Sequence, residues 1–196
     1  MRAYEFITEG ISDVVYHYTP IAAAQKILQS GEFQLSSTLG SVEEQYAPKG
    51  FMFFLSTSRT RFGGYHDYVG STAVLFTLSG RTISQHYPAK SVDYWGDRPP
   101  SSGRNRPHEA EDRIFSREPG MPIDSVIAID VYVRPDADNR VKAIARSVLI
   151  LAKQRGIKVN YYNDEKAWRS GDTRSRGDIS ILTGQDDRKG YSSIRH

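Results

Sequence analysis

The chain contains no cysteine. That absence excludes disulfide staples, cysteine-type zinc sites and a thiol nucleophile, and it fits a reducing compartment. Long apolar runs are missing too. No stretch approaches the roughly 18 residues of a membrane-spanning helix, and the N-terminus lacks the apolar core of a secretory signal. A soluble, cytoplasmic protein is the expectation. The five histidines, at positions 17, 66, 86, 108 and 196, show no metal-ligand spacing, so no metal is expected. Neither a GxGxxG fingerprint nor a phosphate-binding P-loop is present, so any nucleotide must be held in another way. The two signs of charge nearly cancel: 26 Lys and Arg against 23 Asp and Glu leave a net +3, too slight for a dedicated nucleic-acid coat.

Against these absences stand 12 tyrosines and 8 phenylalanines in a chain of 196 residues that is 38% hydrophobic. That suffices for one packed domain whose half-buried rings turn polar tips toward a cleft. Arginines cluster at Arg98–Arg106 and Arg169–Arg176. A guanidinium grips phosphate bidentately, although a solvated surface explains the same clusters.

Asp13–Tyr18 is rich in β-formers and reads as a strand. Thr19 is placed to cap a helix with Pro20 at its first position. That helix runs to about Gln29, buries Ile21, Ala24, Ile27 and Leu28, and stops at Gly31. Residues 36–50 read as a loop. Strands follow at Phe51–Ser56 and Ala73–Leu78, with Gly80 as a turn and residues 88–107 as a long loop rich in Pro, Gly, Ser and Arg. Further strands are expected at Glu111–Phe115, Ser125–Val133 and Ile157–Tyr162. A helix over Arg140–Arg155, capped by Asp138 or Asn139 and closed by Gly156, turns Val141, Ile144, Ala145, Val148, Leu151 and Ala152 inward. The chain from about Ala167 is polar and rich in Gly and Arg. This order implies an α+β fold with a strongly bent or split sheet. The expected organisation is a leader at 1–10, one domain at 11–166 and a C-terminal segment at 167–196.

Three short segments carry chemistry. Tyr16-His17-Tyr18-Thr19 ends a strand and enters a helix. Phe54-Leu55-Ser56-Thr57-Ser58 lies on an apolar strand. Glu109-Ala110-Glu111 follows the long loop, with both carboxylates on one strand face. Each alone has an ordinary reading: a packed histidine, a solvated strand end, a pair of surface acids. Asp112-Arg113 reads as an ordinary ion pair, and Asp93-Tyr94-Trp95-Gly96 as a loop over a pocket or a buried anchor.

In this order the segments resemble the ADP-ribosyltransferase superfamily. Its pattern is an aromatic followed by Arg or His on the first strand, then an aromatic-hydrophobic-Ser-Thr-Ser strand, then Glu-x-Glu or a single Glu. The stretch YHYTPIAAAQKILQSGEF, residues 16–33, also resembles the opening of that fold in diphtheria-type toxins, poly(ADP-ribose) polymerases and DarT-like toxins. The resemblance covers residues 13–133. It implies a toxin-like enzyme that splits NAD between nicotinamide and ribose and passes ADP-ribose to a nucleic acid or a host protein; nothing specific in the sequence suggests chain elongation, so mono-transfer is the expectation.

The residue types suit that reaction. Splitting NAD builds an oxocarbenium-like charge on the ribose, and a fixed carboxylate stabilises charge where it develops. By resemblance that carboxylate is Glu111, and Glu109 accepts a proton from the acceptor group. The resemblance also implies that His17 bonds the adenosine-side ribose, Thr19 nearby hydroxyls, and the Tyr18 backbone the nicotinamide amide. Ser56, with Thr57 and Ser58, borders the NAD, and Ser56 orients Glu111. Tyr65, in Phe62-Gly63-Gly64-Tyr65-His66, stacks on nicotinamide, and Arg59 or Arg61 meets the pyrophosphate. The chain departs from the pattern at two positions. His17 stands where the Arg-Ser-Glu branch has Arg, and Tyr18 where diphtheria-like members have Gly, which leaves subclass and acceptor open.

The leader segment Ile7-Thr8-Glu9-Gly10 resembles the maturation site of T4-like bacteriophage head proteins, which are cut after a hydrophobic-x-Glu triplet. That implies virion-packaged cargo with a removable tag, delivered into a host cytoplasm for host takeover. The plain alternative is an ordinary N-terminus, and virion-derived protein that still starts at Met1 would refute the tag. Two other functions stand beside the transferase. One is an RNA 2′-phosphotransferase-like enzyme, which also uses NAD but leans on Arg and His. The other is a non-catalytic module of the same fold that holds nucleic acid through its Arg-rich loop.

Overall fold

An eight-stranded mixed sheet organises the computed structural model, which describes residues 11–61, 72–93 and 110–172. In chain order the elements are β1 (Val14–Pro20), α1 (Ile21–Ser30), β2 (Glu32–Gln34), β3 (Ser36–Ser37), a 3-10 turn (Val42–Gln45), β4 (Phe53–Ser58), β5 (Thr72–Ser79), α2 (Gly80–Ser84), β6 (Ala89–Asp93), β7 (Ala110–Ser116), β8 (Gly120–Pro122), another 3-10 turn (Ile123–Ser125), β9 (Val126–Val133), α3 (Asn139–Gln154), β10 (Lys158–Tyr162) and α4 (Glu165–Ser170). The sheet order is β10-β9-β5-β1-β4-β7-β6, with β3 added on β4, while β2 and β8 form a separate ribbon. β10 runs parallel to β9, and the other pairings are antiparallel. The fold is α+β.

The sheet is joined unevenly. β1 pairs β5 along its whole length, from Val14–Ser79 to Pro20–Ala73, and β4 pairs β7 from Phe53–Ser116 to Ser58–Glu111. Between β1 and β4, the one registered pair among the described residues is Tyr16–Ser58. The sheet is therefore two halves, β10-β9-β5-β1 and β4-β7-β6, meeting at a narrow joint.

Why the halves hold their shape follows from what covers them. The run TAVLFTLS in β5 is apolar on both faces because both faces are covered. On one face, Val15, Val74, Phe76, Leu78, Ile129 and Val131 pack against α1 and α3. The helices turn Ile21, Ala24, Ile27 and Leu28, and Ala145, Val148, Leu149 and Ala152, toward them at helical spacing. Arg155, just past α3, donates from Nε to the Leu28 carbonyl at 2.7 Å and from Nη2 to the Gln29 carbonyl at 3.3 Å. These are end-of-helix carbonyls that α1 itself leaves unsatisfied. On the opposite face, α4 seats Ala167 and Trp168 against Ala73, Tyr132 and Tyr162, and Trp168 stacks on Tyr132 with ring centroids 5.3 Å apart.

Several local readings need correction. Thr19 does not cap α1: it stays in β1, buried and paired with Val74, and the cap position falls to Pro20 with no side-chain bond. Continued pairing with β5 outweighs an early helix start. Gly80 is the first residue of α2, capped by Ser79, not a free turn. The expected loops are interrupted, 36–50 by β3 and a 3-10 turn, and 88–107 by edge strand β6. At α3 the cap is Asp138, whose Oδ1 accepts from the Val141 amide at 2.8 Å. α4 spans the 166/167 boundary, and Asp164 caps it by accepting from the Ala167 amide at 2.7 Å. The leader, Phe62–His66 with Tyr65, Tyr94–Gly96, the arginines at 98–106, Glu109 and the chain after 172 lie outside the described residues.

Candidate active site

The segments singled out in the sequence meet at the joint of the sheet. Tyr16 pairs with Ser58, and Ser58 pairs with Glu111. On the other side Tyr16 pairs with Thr77 of β5. Cross-strand partners share a face, so Thr77, Tyr16, Ser58 and Glu111 form one row across four adjacent strands. Alternation along each strand puts Tyr18, Ser56 and Arg113 on that face as well, and His17, Thr19, Thr57 and Asp112 on the other.

Glu111 is buried, and its carboxylate is ion-paired with Arg113 two residues on. Arg113 is itself buried, and its Nε donates to Oε1 of Glu43 at 3.4 Å. Glu43 comes from the 3-10 turn before β4. The ring of Phe54 lies 5.9 Å from the guanidinium carbon. Across the ladder, Ser58 stands opposite Glu111, and Ser56 opposite Arg113.

His17 closes the joint from the other face. Its Nδ1 lies 3.0 Å from the Ser56 carbonyl. That oxygen only accepts, so Nδ1 carries the hydrogen. Burial holds the His17 pKa below its usual value, and the Ser56 carbonyl offsets that in part. The ring is therefore neutral near pH 7, and its Nε2 is an acceptor. The ladder lapses after Tyr16–Ser58, and the Ser56 carbonyl that a β1 amide would otherwise bond is taken by this side chain. His17 packs edge-on to Phe33 at 5.5 Å, on the α1 side of the sheet.

The remaining residues fall into structural positions. Thr57 donates to the Asp112 carbonyl at 2.9 Å, a strut between β4 and β7. Ser58 donates to the Thr60 carbonyl at 2.8 Å and accepts from the Thr60 amide at 3.3 Å, which turns the chain as it leaves β4. Tyr18 packs edge-on to Trp168 at 6.0 Å, and burial pushes its phenol well above the usual tyrosine range. Both candidate phosphate-binding arginines have carboxylate partners. Arg59 Nε bonds Asp112 at 2.9 Å. Arg61 pairs with Asp130 and donates to the Trp168 carbonyl at 3.1 Å, and Asn160 also donates to Asp130. The expected Asp112–Arg113 ion pair does not form. Neighbours on a strand point to opposite faces, so Asp112 turns to Arg59, Ser91 and Ser12, and Arg113 to Glu111 and Glu43.

Among solved structures, the chain is similar to DarT from Thermus sp. 2.9. The complex with NAD+ aligns with a TM-score of 0.46 at 12% identity, covering 80% of this chain and 96% of that one. The complex with carba-NAD+ gives 0.47 and 15%, covering 80% and 97%. The complex with ADP-ribosylated ssDNA gives 0.46 and 14%, covering 80% and 95%. No protein-family model and no curated protein matches the chain.

Sequence reasoning missed Glu43 and Arg113. Arg113 was legible, since it stands at i+2 from Glu111, the spacing that puts two side chains on one strand face. Glu43 carried no local signal, because its partner lies 70 positions away. A separate cavity of about 690 Å³, lined in part by Phe51, Tyr87, Ser116 and Arg117, opens at the far end of β7. At about 3.4 Å per residue, Ser116 is about 17 Å along the strand from Glu111, so that cavity is not part of this site. Among the described residues, no cluster of three or more His, Cys, Asp or Glu side chains is able to hold a metal.

Proposed function

We propose that this protein is an NAD-dependent mono-ADP-ribosyltransferase, built on a split sheet of the ADP-ribosyltransferase kind, that modifies a macromolecule. One observation carries the reading. The Tyr-His strand, the Ser-Thr-Ser strand and the glutamate strand are immediate neighbours, and Tyr16, Ser58 and Glu111 stand in one cross-strand row. Three segments that are individually ordinary have no reason to converge at the weakest joint of a sheet unless that joint is used.

The chemistry is a substitution at the ribose C1′. The C1′–N bond breaks, and its electron pair leaves with nicotinamide. C1′ becomes cation-like and then bonds a nucleophilic atom of the acceptor, whose proton passes to a base. Glu111 stabilises the cation-like ribose, and burial strengthens its field because little water screens it. Glu109, two residues upstream, is the base in this proposal. His17 reaches the joint from the opposite face through its bond to the Ser56 carbonyl, and in this proposal its neutral Nε2 accepts from a ribose hydroxyl. The acceptor is a nucleic acid or a host protein, and the arginine-rich stretches favour the former.

The test is incubation with labelled NAD and a host lysate, later split into protein, RNA and DNA. Label is expected in one fraction, and Glu111→Gln should lower the rate by about 10²–10³-fold, the usual cost of losing one electrostatic stabiliser. No label and no nicotinamide release from the unmutated protein would overturn the proposal.

A further inference from the structure

The turn that carries Glu43 inverts the ordinary pattern of a surface segment. Val42 is 51% exposed and Leu39 66%, while the acid between Val42 and Glu44, Glu43, is only 8% exposed. Apolar groups outside and a carboxylate inside need an internal cause. The cause is Arg113, which keeps 1% of its surface in water and pairs with both Glu43 and Glu111.

Formal charge makes the arrangement more than a packing detail. A Glu111–Arg113 pair alone sums to zero, and the guanidinium would cancel much of the field that a cation-like ribose needs. Glu43 adds a second negative charge at a different guanidinium nitrogen, Nε where Glu111 takes Nη1, so the trio carries a formal −1. Arginine suits this position because its planar fork reaches two carboxylates in fixed directions, whereas a lysine ammonium is a single point charge. The Arg113 guanidinium carbon also lies over the Phe54 ring, 5.9 Å from the centroid.

We propose that Arg113 and Glu43 are positioning residues for Glu111: Arg113 fixes the carboxylate toward the ribose, and Glu43 anchors Arg113 and restores the net negative charge. This rests on the transferase reading above. It assigns to Glu43, a residue outside all three motifs, an effect on the chemical step and not on NAD binding.

The experiment compares nicotinamide release by the full chain with Glu43→Gln, Arg113→Lys and Glu111→Gln, each with kcat and KM for NAD and a thermal midpoint. Glu43→Gln keeps the shape and removes the charge. Its kcat should fall by about a hundredfold, the scale of a misplaced catalytic group, with KM for NAD within about twofold. Arg113→Lys should behave alike, with Glu111→Gln the lowest of the three. Wild-type kcat in Glu43→Gln, beside an inactive Glu111→Gln, would overturn the positioning role and leave the transferase reading standing. An equal loss through KM would also overturn it, since that reports binding. Should Glu43→Gln fail to fold, Glu43→Asp carries the test by keeping the charge and withdrawing it by one methylene. An intermediate kcat supports the role, and an unchanged one removes it. An unmutated protein that releases no nicotinamide overturns both readings together.

Discussion

Asp112 and Glu111 are adjacent carboxylates on opposite faces of β7, and their removal should have opposite consequences. Asp112 is fully buried and ties three segments together. It accepts from Arg59 Nε at 2.9 Å, from Ser91 Oγ at 3.2 Å and from the Ser12 amide at 3.4 Å. Breaking a buried pair by deleting one partner costs about 3–5 kcal/mol. The Arg59 side chain keeps 28% of its surface in water and re-solvates in part, so the figure drops to about 2–3 kcal/mol for Asp112→Ala. In a chain of this size each kcal/mol moves the thermal midpoint by about 2–4 °C, so a fall of about 4–12 °C is expected. Urea unfolding should show a lower midpoint at unchanged slope. Below the midpoint, the nicotinamide release proposed above should persist, since the Asp112 carboxylate bonds Arg59, Ser91 and Ser12 and points to the face opposite Glu111. A midpoint within about 1 °C of the unmutated protein, or lost turnover in folded protein, would refute the assignment of faces.

Two further outcomes follow from the same structure. A methyl group at Gly80 would meet the Ser12 carbonyl oxygen at 1.9 Å, and that oxygen is backbone. Gly80→Ala should therefore destabilise by about 1–3 kcal/mol in urea, despite a helix-propensity gain of up to about 1 kcal/mol; a net gain would show that the Ser12 backbone gives way. The second outcome concerns pH. His17 has its pKa depressed by burial, so its contribution is intact above the unfolded value of about 6.5 and is lost as pH falls toward the folded value, because the unfolded chain takes up a proton that the buried ring declines. The thermal midpoint should fall more steeply on acidification in the unmutated protein than in His17→Gln, and parallel curves would refute the neutral ring.

Much of the fold was legible because short-range rules govern it. The apolar runs that became β5 and β9, the stop at Gly31 and the inward face of α3 depend on residues a few positions apart. The readings that failed were those where a distant partner outbid a local preference. Thr19 carries a capping side chain, but pairing with Val74 keeps it in the strand. Ala89–Asp93 sits in a stretch rich in loop formers, yet β7 offers it an open edge. The Asp112–Arg113 misreading is of another kind, since the pleat of a strand forbids neighbours from pairing and the sequence already contained that fact.

Local sequence sets the ingredients: a cysteine-free α+β chain, three chemical segments in a given order, and the strands and helices that carry them. Tertiary packing makes these segments abut at a joint where the ladder between β1 and β4 shrinks to one pair. It alone decided that Glu111 answers to Arg113, that Glu43 is drawn inward to the same guanidinium, and that His17 fills the gap left in the ladder. The difference is one of range. Propensity and periodicity act over a few residues, whereas the cost of burying a charge is settled only when the fold chooses its partner.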